Sequence, residues 1–180
     1  MRRLAIILVL ALGLVLVGAQ ASLATSPHFK KGGEPTCTIT PQGASSDSVT
    51  CTATLAGLGN FDVKVTTSVL GSAVYQCQNG GGNTAPGQNK VLIGPATSTT
   101  SFPASAIKNG NLTFTTNPAV LTAPTTVSGA VAGCPNPNWT GVNPVLTVTS
   151  ISLTIEQPPG TPIFTCSASD PLSGTVALTC

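Results

Sequence analysis

Charge is what this chain has least of. Asp, Glu, Lys and Arg make up 7% of its residues, against about 25% in an ordinary globular domain. Aromatics are held to 4%, with one tryptophan, one tyrosine and one histidine. So few cations leave no basic patch, and nucleic acid or an anionic membrane surface has no electrostatic hold on the chain. General acid–base catalysis needs a histidine or carboxylates in contrasting environments. Here the histidine is His28, and Glu34, Asp47, Asp62, Glu156 and Asp170 are scattered. Gly-x-Ser-x-Gly and Cys-x-x-Cys are both missing, which removes the nucleophile elbow and the common zinc and redox spacings. Hydrolase, transferase and redox readings are set aside, and no catalytic residue, cofactor or metal ligand is expected.

The apolar residues include one run of another kind. Met1-Arg2-Arg3 leads into Leu4–Val17 and then Ala19-Gln20-Ala21. A basic start, a short apolar stretch and an Ala-x-Ala site make a secretory signal peptide over residues 1–21. Ala24 offers a second cleavage position. The run is shorter than the roughly 20 residues that a membrane span needs, and no cysteine stands at the cleavage site to carry a lipid. The expectation is a secreted protein, extracellular or associated with the cell wall, with no membrane insertion after cleavage. Arg2 and Arg3 leave with the peptide, so five lysines then face five acids and the formal +2 falls to zero. The surface must be built of Thr, Ser, Asn, Gln and Gly.

What remains suits one domain. Fifteen prolines are spread throughout and β-branched residues abound, so long helices have nowhere to form. The fold class expected is all-β, an antiparallel β-sandwich over residues 36–180, with 22–35 as a flexible leader around Gly32-Gly33 and His28 exposed and idle. Thr36–Thr40 and Val49–Leu55 read as a first hairpin. Phe61, Val63 and Val65 alternate with polar residues as a strand, and Ala73, Tyr75 and Cys77 continue the sheet after Gly71. Residues 79–90 read as a long loop. Short strands follow at 91–93, 98–102, 111–116 and 125–131, punctuated by Pro95, Pro103, Pro118 and Pro124. The longest β-type run, Val145–Ile155, is the organising strand. Leu146 and Val148 share one parity and Ile151, Leu153 and Ile155 the other, so a β-bulge near Thr149-Ser150 would put both sets on one face. A last hairpin runs from Thr161 to Cys180.

Six cysteines in an exported chain imply disulfides. Cys37 and Cys51 are 14 apart, as are Cys166 and Cys180. Opposed residues of an antiparallel pair lie within bridging distance. Cys37 facing Cys51 sets Ile39 against Val49, and Cys166 facing Cys180 sets Ala168 against Leu178. Cys77 and Cys134 then close the long middle.

Residues 79–90 lack the lysine spacing and following helix of a phosphate-binding loop. Thr-x-Thr pairs at 36/38/40, 50/52/54, 113/115 and 147/149 hint at an ice-binding ladder, but their irregular spacing reads as solvent-facing strand threonine. Asn111-Leu-Thr and Asn138-Trp-Thr fit glycosylation sequons, relevant in a eukaryotic secretory route.

Two stretches carry resemblances. Ala73-Val-Tyr75-Gln-Cys77 resembles the Ala-x-Tyr-x-Cys of an immunoglobulin domain, which implies a tyrosine corner beside an inter-sheet disulfide. Cys51 is only 26 residues upstream, no tryptophan lies between, and Trp139 instead follows Cys134 by five. The chain is thus expected to be Ig-like in architecture and not clearly so in topology. Tyr75-x-Cys77, Gly81-Gly-Asn83, Ala85-Pro-Gly-Gln-Asn89 and Gly133-Cys-Pro-Asn-Pro-Asn-Trp139 together resemble small secreted proteins of high-GC Gram-positive, actinobacterial type, a group that implies no particular activity. The Ala/Gly/Thr/Ser/Val-rich, charge-poor composition is also similar to secreted apoproteins that carry enediyne chromophores, with no ligand-contacting residue carried over.

Binding is the functional class left. The expected ligand or partner surface is Trp139 with Asn136, Asn138, Tyr75 and Asn83, brought together by the Cys77–Cys134 bridge. Against this stands Trp139 as a plug of the core, its indole N–H satisfied by a loop carbonyl. The partner would be an extracellular protein or a cell-wall polysaccharide; a carbohydrate- or small-ligand-binding module is the second reading.

Overall fold

The structure, a computed structural model, describes residues 26–180; the signal-peptide expectation over 1–21 lies outside the described residues. Among the described residues twelve strands form two antiparallel sheets. In the first sheet β3 (Ser46–Ala56) is central. It pairs on one side with β2 (Thr36–Pro41) and β1 (His28–Phe29), and on the other with β7 (Leu112–Thr115) and β8 (Ala119–Thr122); β12 (Thr175–Ala177) adds beyond β2. The second sheet is built on β4 (Val63–Gln78) and β10 (Thr140–Glu156). Outside β4 lie β5 (Thr84–Pro86) and β6 (Val91–Phe102); outside β10 lie β9 (Val127–Ser128) and β11 (Pro162–Leu172).

Period-two alternation generates the core. Val49, Cys51, Ala53 and Leu55 point inward from β3, Val63, Val65, Val69, Ala73 and Tyr75 from β4, and Val148, Ile151, Leu153 and Ile155 from β10. Burying each aliphatic side chain is worth about 1.5–3 kcal/mol. The expected bulge is present: both neighbours of β10 shift register between Val148 and Ser150, which carries inward orientation from even to odd numbers.

The three disulfides are Cys37–Cys51, Cys77–Cys134 and Cys166–Cys180, with Cα–Cα separations of 4.0, 5.5 and 4.0 Å. Cys37 faces Cys51 and Ile39 faces Val49 in the β2–β3 ladder.

Several elements differ from expectation. The last hairpin is not one ladder, because β11 pairs with β10 and β12 crosses to β2. Only Ser167 and Thr179 exchange backbone hydrogen bonds, at 2.8 and 2.9 Å, and so close one edge of the sandwich. Val176 packing on the core draws β12 to the other sheet. Residues 28–35 are not a free leader: His28 and Phe29 pair with Ala56 and Leu55, and the Phe29 ring lies 4.5 Å from Phe164. Phe61 falls before β4 and is 45% exposed.

Neither Gly71 nor Pro95 breaks its strand. A bulge lets β4 and β6 run past both, and a Cβ on Gly71 would meet Leu121 Cδ2 and the Thr147 carbonyl oxygen at 2.7 Å. Residues 79–90 contain β5. Residues 125–131 hold only β9 before a helical turn, Gly129–Ala132, where Ser128 Oγ accepts from the Val131 N–H at 3.4 Å and Gly133 ends the turn at φ 69°.

Candidate functional site

The Cys77–Cys134 bridge joins the two expected loops, and backbone bonds complete the join. Gln88 N–H and Asn89 N–H donate to the Ala132 carbonyl at 3.1 and 3.2 Å, and Asn89 Nδ2 donates to the Val131 carbonyl at 3.1 Å. Thr84 and Thr140 flank Gln78 on opposite sides, so Asn83 and Trp139 sit at one end of the sheet, two strand spacings apart. Asn83, Asn136 and Asn138 are exposed. Asn79 Oδ1 accepts from the Asn83 N–H, and Asn136 Oδ1 from the Asn138 N–H, both at 2.9 Å, so these asparagines are held in local turns.

Tyr75 does not belong to that surface. Its ring is buried and its hydroxyl donates to the Pro124 carbonyl at 2.9 Å. The odd-number parity that buries Ala73 and Cys77 turns it inward, so it anchors the loop before β9 and is not available to a partner. Its acceptor lies 49 residues downstream, unlike the nearby upstream acceptor of an immunoglobulin tyrosine corner. Trp139 is half-buried, packed against the core from its end. The loop carbonyl expected at its indole N–H is missing among the described residues.

A cleft not anticipated from the sequence lies beside these loops. Asn143, at φ 52°, and Pro144 form a second bulge in β10, between Val142 and Val145. Val74, Gln76, Pro86, Asn143 and Val145 are among the residues lining an open cleft of about 370 Å³ here. Asn143 Nδ2 donates to Gln76 Oε1 at 3.0 Å, a bonded amide pair in the cleft wall. A neighbouring hollow of about 400 Å³, with Ala44, Ser45 and Thr125, shares Gln76, Asn143 and Val145. Outward parity continues the apolar surface: Val74 faces Val145, and Leu92 faces Ser72 one step along, across β6, β4 and β10. These three aliphatic residues are 41%, 59% and 73% exposed for Val74, Val145 and Leu92.

Beyond that patch the outer faces are hydroxyl-bearing. Thr66, Ser68, Thr97, Thr99, Ser152 and Thr154 share one face of the second sheet, by register. On the first, Thr36 Oγ1 lies 3.2 Å from Thr52 Oγ1 and Thr54 Oγ1 lies 3.1 Å from Thr113 Oγ1. The Thr-x-Thr threonines are therefore strand residues, and Thr36, Thr52, Thr54 and Thr113 meet in pairs across neighbouring strands.

Charged groups stay away from the cleft. Glu156 pairs with Lys64 at 3.3 Å and accepts from the Gly160 N–H at 2.8 Å; chiefly that backbone bond, with Lys64, holds its pKa below the usual 4.5. Asp170 lies at the opposite end of β11 from Glu156, so the two acids do not meet. No cluster of three metal-ligating side chains occurs among the described residues, and no helix there is long and apolar enough to cross a membrane. The cleft offers amide hydrogen bonds and aliphatic contact.

The chain matches no protein-family model, and no curated protein matches it in sequence.

Proposed function

We propose that the protein is secreted and works without catalysis, as an extracellular or cell-envelope protein that docks a partner protein through the outer face of β6, β4 and β10. One observation carries this reading: Leu92, Val74 and Val145 stand exposed together on adjacent strands. They adjoin a cleft whose wall holds the Asn143–Gln76 amide pair. An apolar centre with a hydrogen-bonding rim is the usual make-up of a protein interface, and the neutral surroundings add no long-range steering. Three disulfides and a basic-then-apolar N-terminal sequence support an oxidising destination.

The test uses mature protein immobilised against concentrated culture medium and cell-wall extract. Wild type is expected to retain a discrete protein that the Leu92→Asp/Val145→Asp variant loses. Equal retention by both overturns the reading.

The alternative is a carbohydrate- or small-ligand-binding module, favoured by half-buried Trp139 beside exposed Asn136 and Asn138. Co-sedimentation with chitin, cellulose or peptidoglycan that Trp139→Ala abolishes would select it.

A further inference from the structure

Asp47 occupies an anomalous position. In β3 it shares parity with Val49, Cys51, Ala53 and Leu55, so the strand directs it inward, and it is only 9% exposed. Its ladder partners are Pro41 on β2 and Leu121 on β8. It lines a hollow of about 230 Å³ at the end of the sandwich, between Ile39 and Pro41 on one side and Leu146, Val148 and Leu172 on the other. Among the described residues no donor or cation meets its carboxylate. Burial alone pushes its pKa above the ordinary 3.8, with no hydrogen bond or charge acting the other way. Other charges on the walling strands are remote: Asp170 is exposed two residues before Leu172, and Glu156 is at the far end of β10, engaged with Lys64. Its oxygens are not among the fully buried polar atoms left without a partner, so they touch the water of the hollow; a carboxylate so placed has lost part of its hydration without gaining a protein donor.

We propose that this hollow is a binding site for a primary alkylammonium group, whose methylenes lie against Ile39, Leu146, Val148 and Leu172 while the –NH₃⁺ donates to Asp47. The volume is enough for a four-carbon amine or a lysine side chain. One carboxylate between aliphatic walls lacks the several oxygens that calcium or magnesium requires. An ammonium supplies the missing charge and hydrogen bond together, in a setting that strengthens both. Two sources share this chemistry, a partner's exposed lysine and a free alkylamine. The site lies between the sheets at their end and does not rest on the outer face of β6, β4 and β10.

The test is a two-dimensional amide NMR titration of the disulfide-intact protein at pH 7 with n-butylammonium chloride. Shifts are expected to concentrate at residues 39–47, 146–148 and 172–174, with a dissociation constant of about 1 mM, as suits a five-heavy-atom ligand. Asp47→Asn should weaken binding roughly tenfold or more. In wild type, which needs no variant to fold, binding should weaken as acidification protonates Asp47. Nα-acetyl-lysine methylamide matching n-butylammonium identifies a partner's lysine as the source; its failure while n-butylammonium binds identifies a free amine. The proposal is overturned if butan-1-ol binds as well as n-butylammonium, if Asp47→Asn titrates like wild type, or if the hollow residues do not shift.

Discussion

The Tyr75 hydroxyl donates to the Pro124 carbonyl at 2.9 Å and so ties the inner face of β4 to the chain entering β9. Tyr75→Phe keeps the ring in the core and leaves that carbonyl without its donor. The expected cost is about 1–2 kcal/mol, read from chemical denaturation, with the same slope against denaturant. A variant as stable as wild type would show that water replaces the bond.

Thr67 makes the opposite case. It is fully buried in the middle of β4, and its Oγ1 has no hydrogen-bond partner among the described residues. Thr67→Val exchanges that hydroxyl for a methyl group of nearly the same shape and should raise stability by about 1 kcal/mol. Thermal unfolding of the two proteins decides the sign.

Gln157 fastens the loop before β4. Its Nε2 donates to the Gly59 and Phe61 carbonyls at 2.9 Å each, and its Oε1 accepts from the Gly59 N–H at 3.0 Å. Gln157→Glu is isosteric but has lost both donors, and should destabilise by about 2–3 kcal/mol at neutral pH. Hydrogen exchange in residues 57–62 should quicken in the variant.

Two carboxyl groups give stability opposite slopes in acid. Burial raises the Asp47 pKa, so its folded form holds a proton that the unfolded chain has already released. Stability from this group is therefore greatest below its ordinary 3.8 and declines as pH rises through the folded value. Glu156 is lowered, chiefly by the Gly160 N–H; its contribution is present above 4.5 and lost as pH falls through the folded value. Melting temperature against pH should lose the first trend in Asp47→Asn and the second in Glu156→Gln.

The disulfides should open in order of access. Cys180 is exposed, Cys134 is partly covered, and Cys37 and Cys51 are both fully buried. A thiolate must reach a sulfur to attack it. Mild reduction followed by alkylation and peptide mapping should label Cys166 and Cys180 first and Cys37 and Cys51 last.

Local alternation and the spacing of cysteines made much of this fold legible in the sequence. Equal spacing of Cys37–Cys51 and Cys166–Cys180 located two bridges and left the third, and the parity change between Val148 and Ile151 marked the bulge in β10. Tertiary choices were less visible. Nothing local says that β12 will cross to β2, because Thr175-Val176-Ala177 would alternate equally well beside β11. Gly71 and Pro95 read as breaks, since a bulge shared by two strands is a property of the pair. The Cys77–Cys134 bridge suggests Tyr75 for the shared loop surface, although its parity with Ala73 and Cys77 turns it inward. The cleft is not legible in the sequence because Asn143-Pro144 reads as the end of a loop, whereas both residues lie within a continuous strand.

The ladder between β4 and β10 also governs how the chain must come together. It joins residues 64–78 to 140–156, so the longest pairing among the described residues closes over the whole of residues 79–139. Contacts so distant along the chain carry a loop-closure cost before they return any stabilisation, and such topologies collapse slowly. The Cys77–Cys134 bond lies at one end of this ladder. Oxidised early, it would confine the search for β-pairing to a tethered loop, making that single covalent link a determinant of refolding speed as well as of endurance.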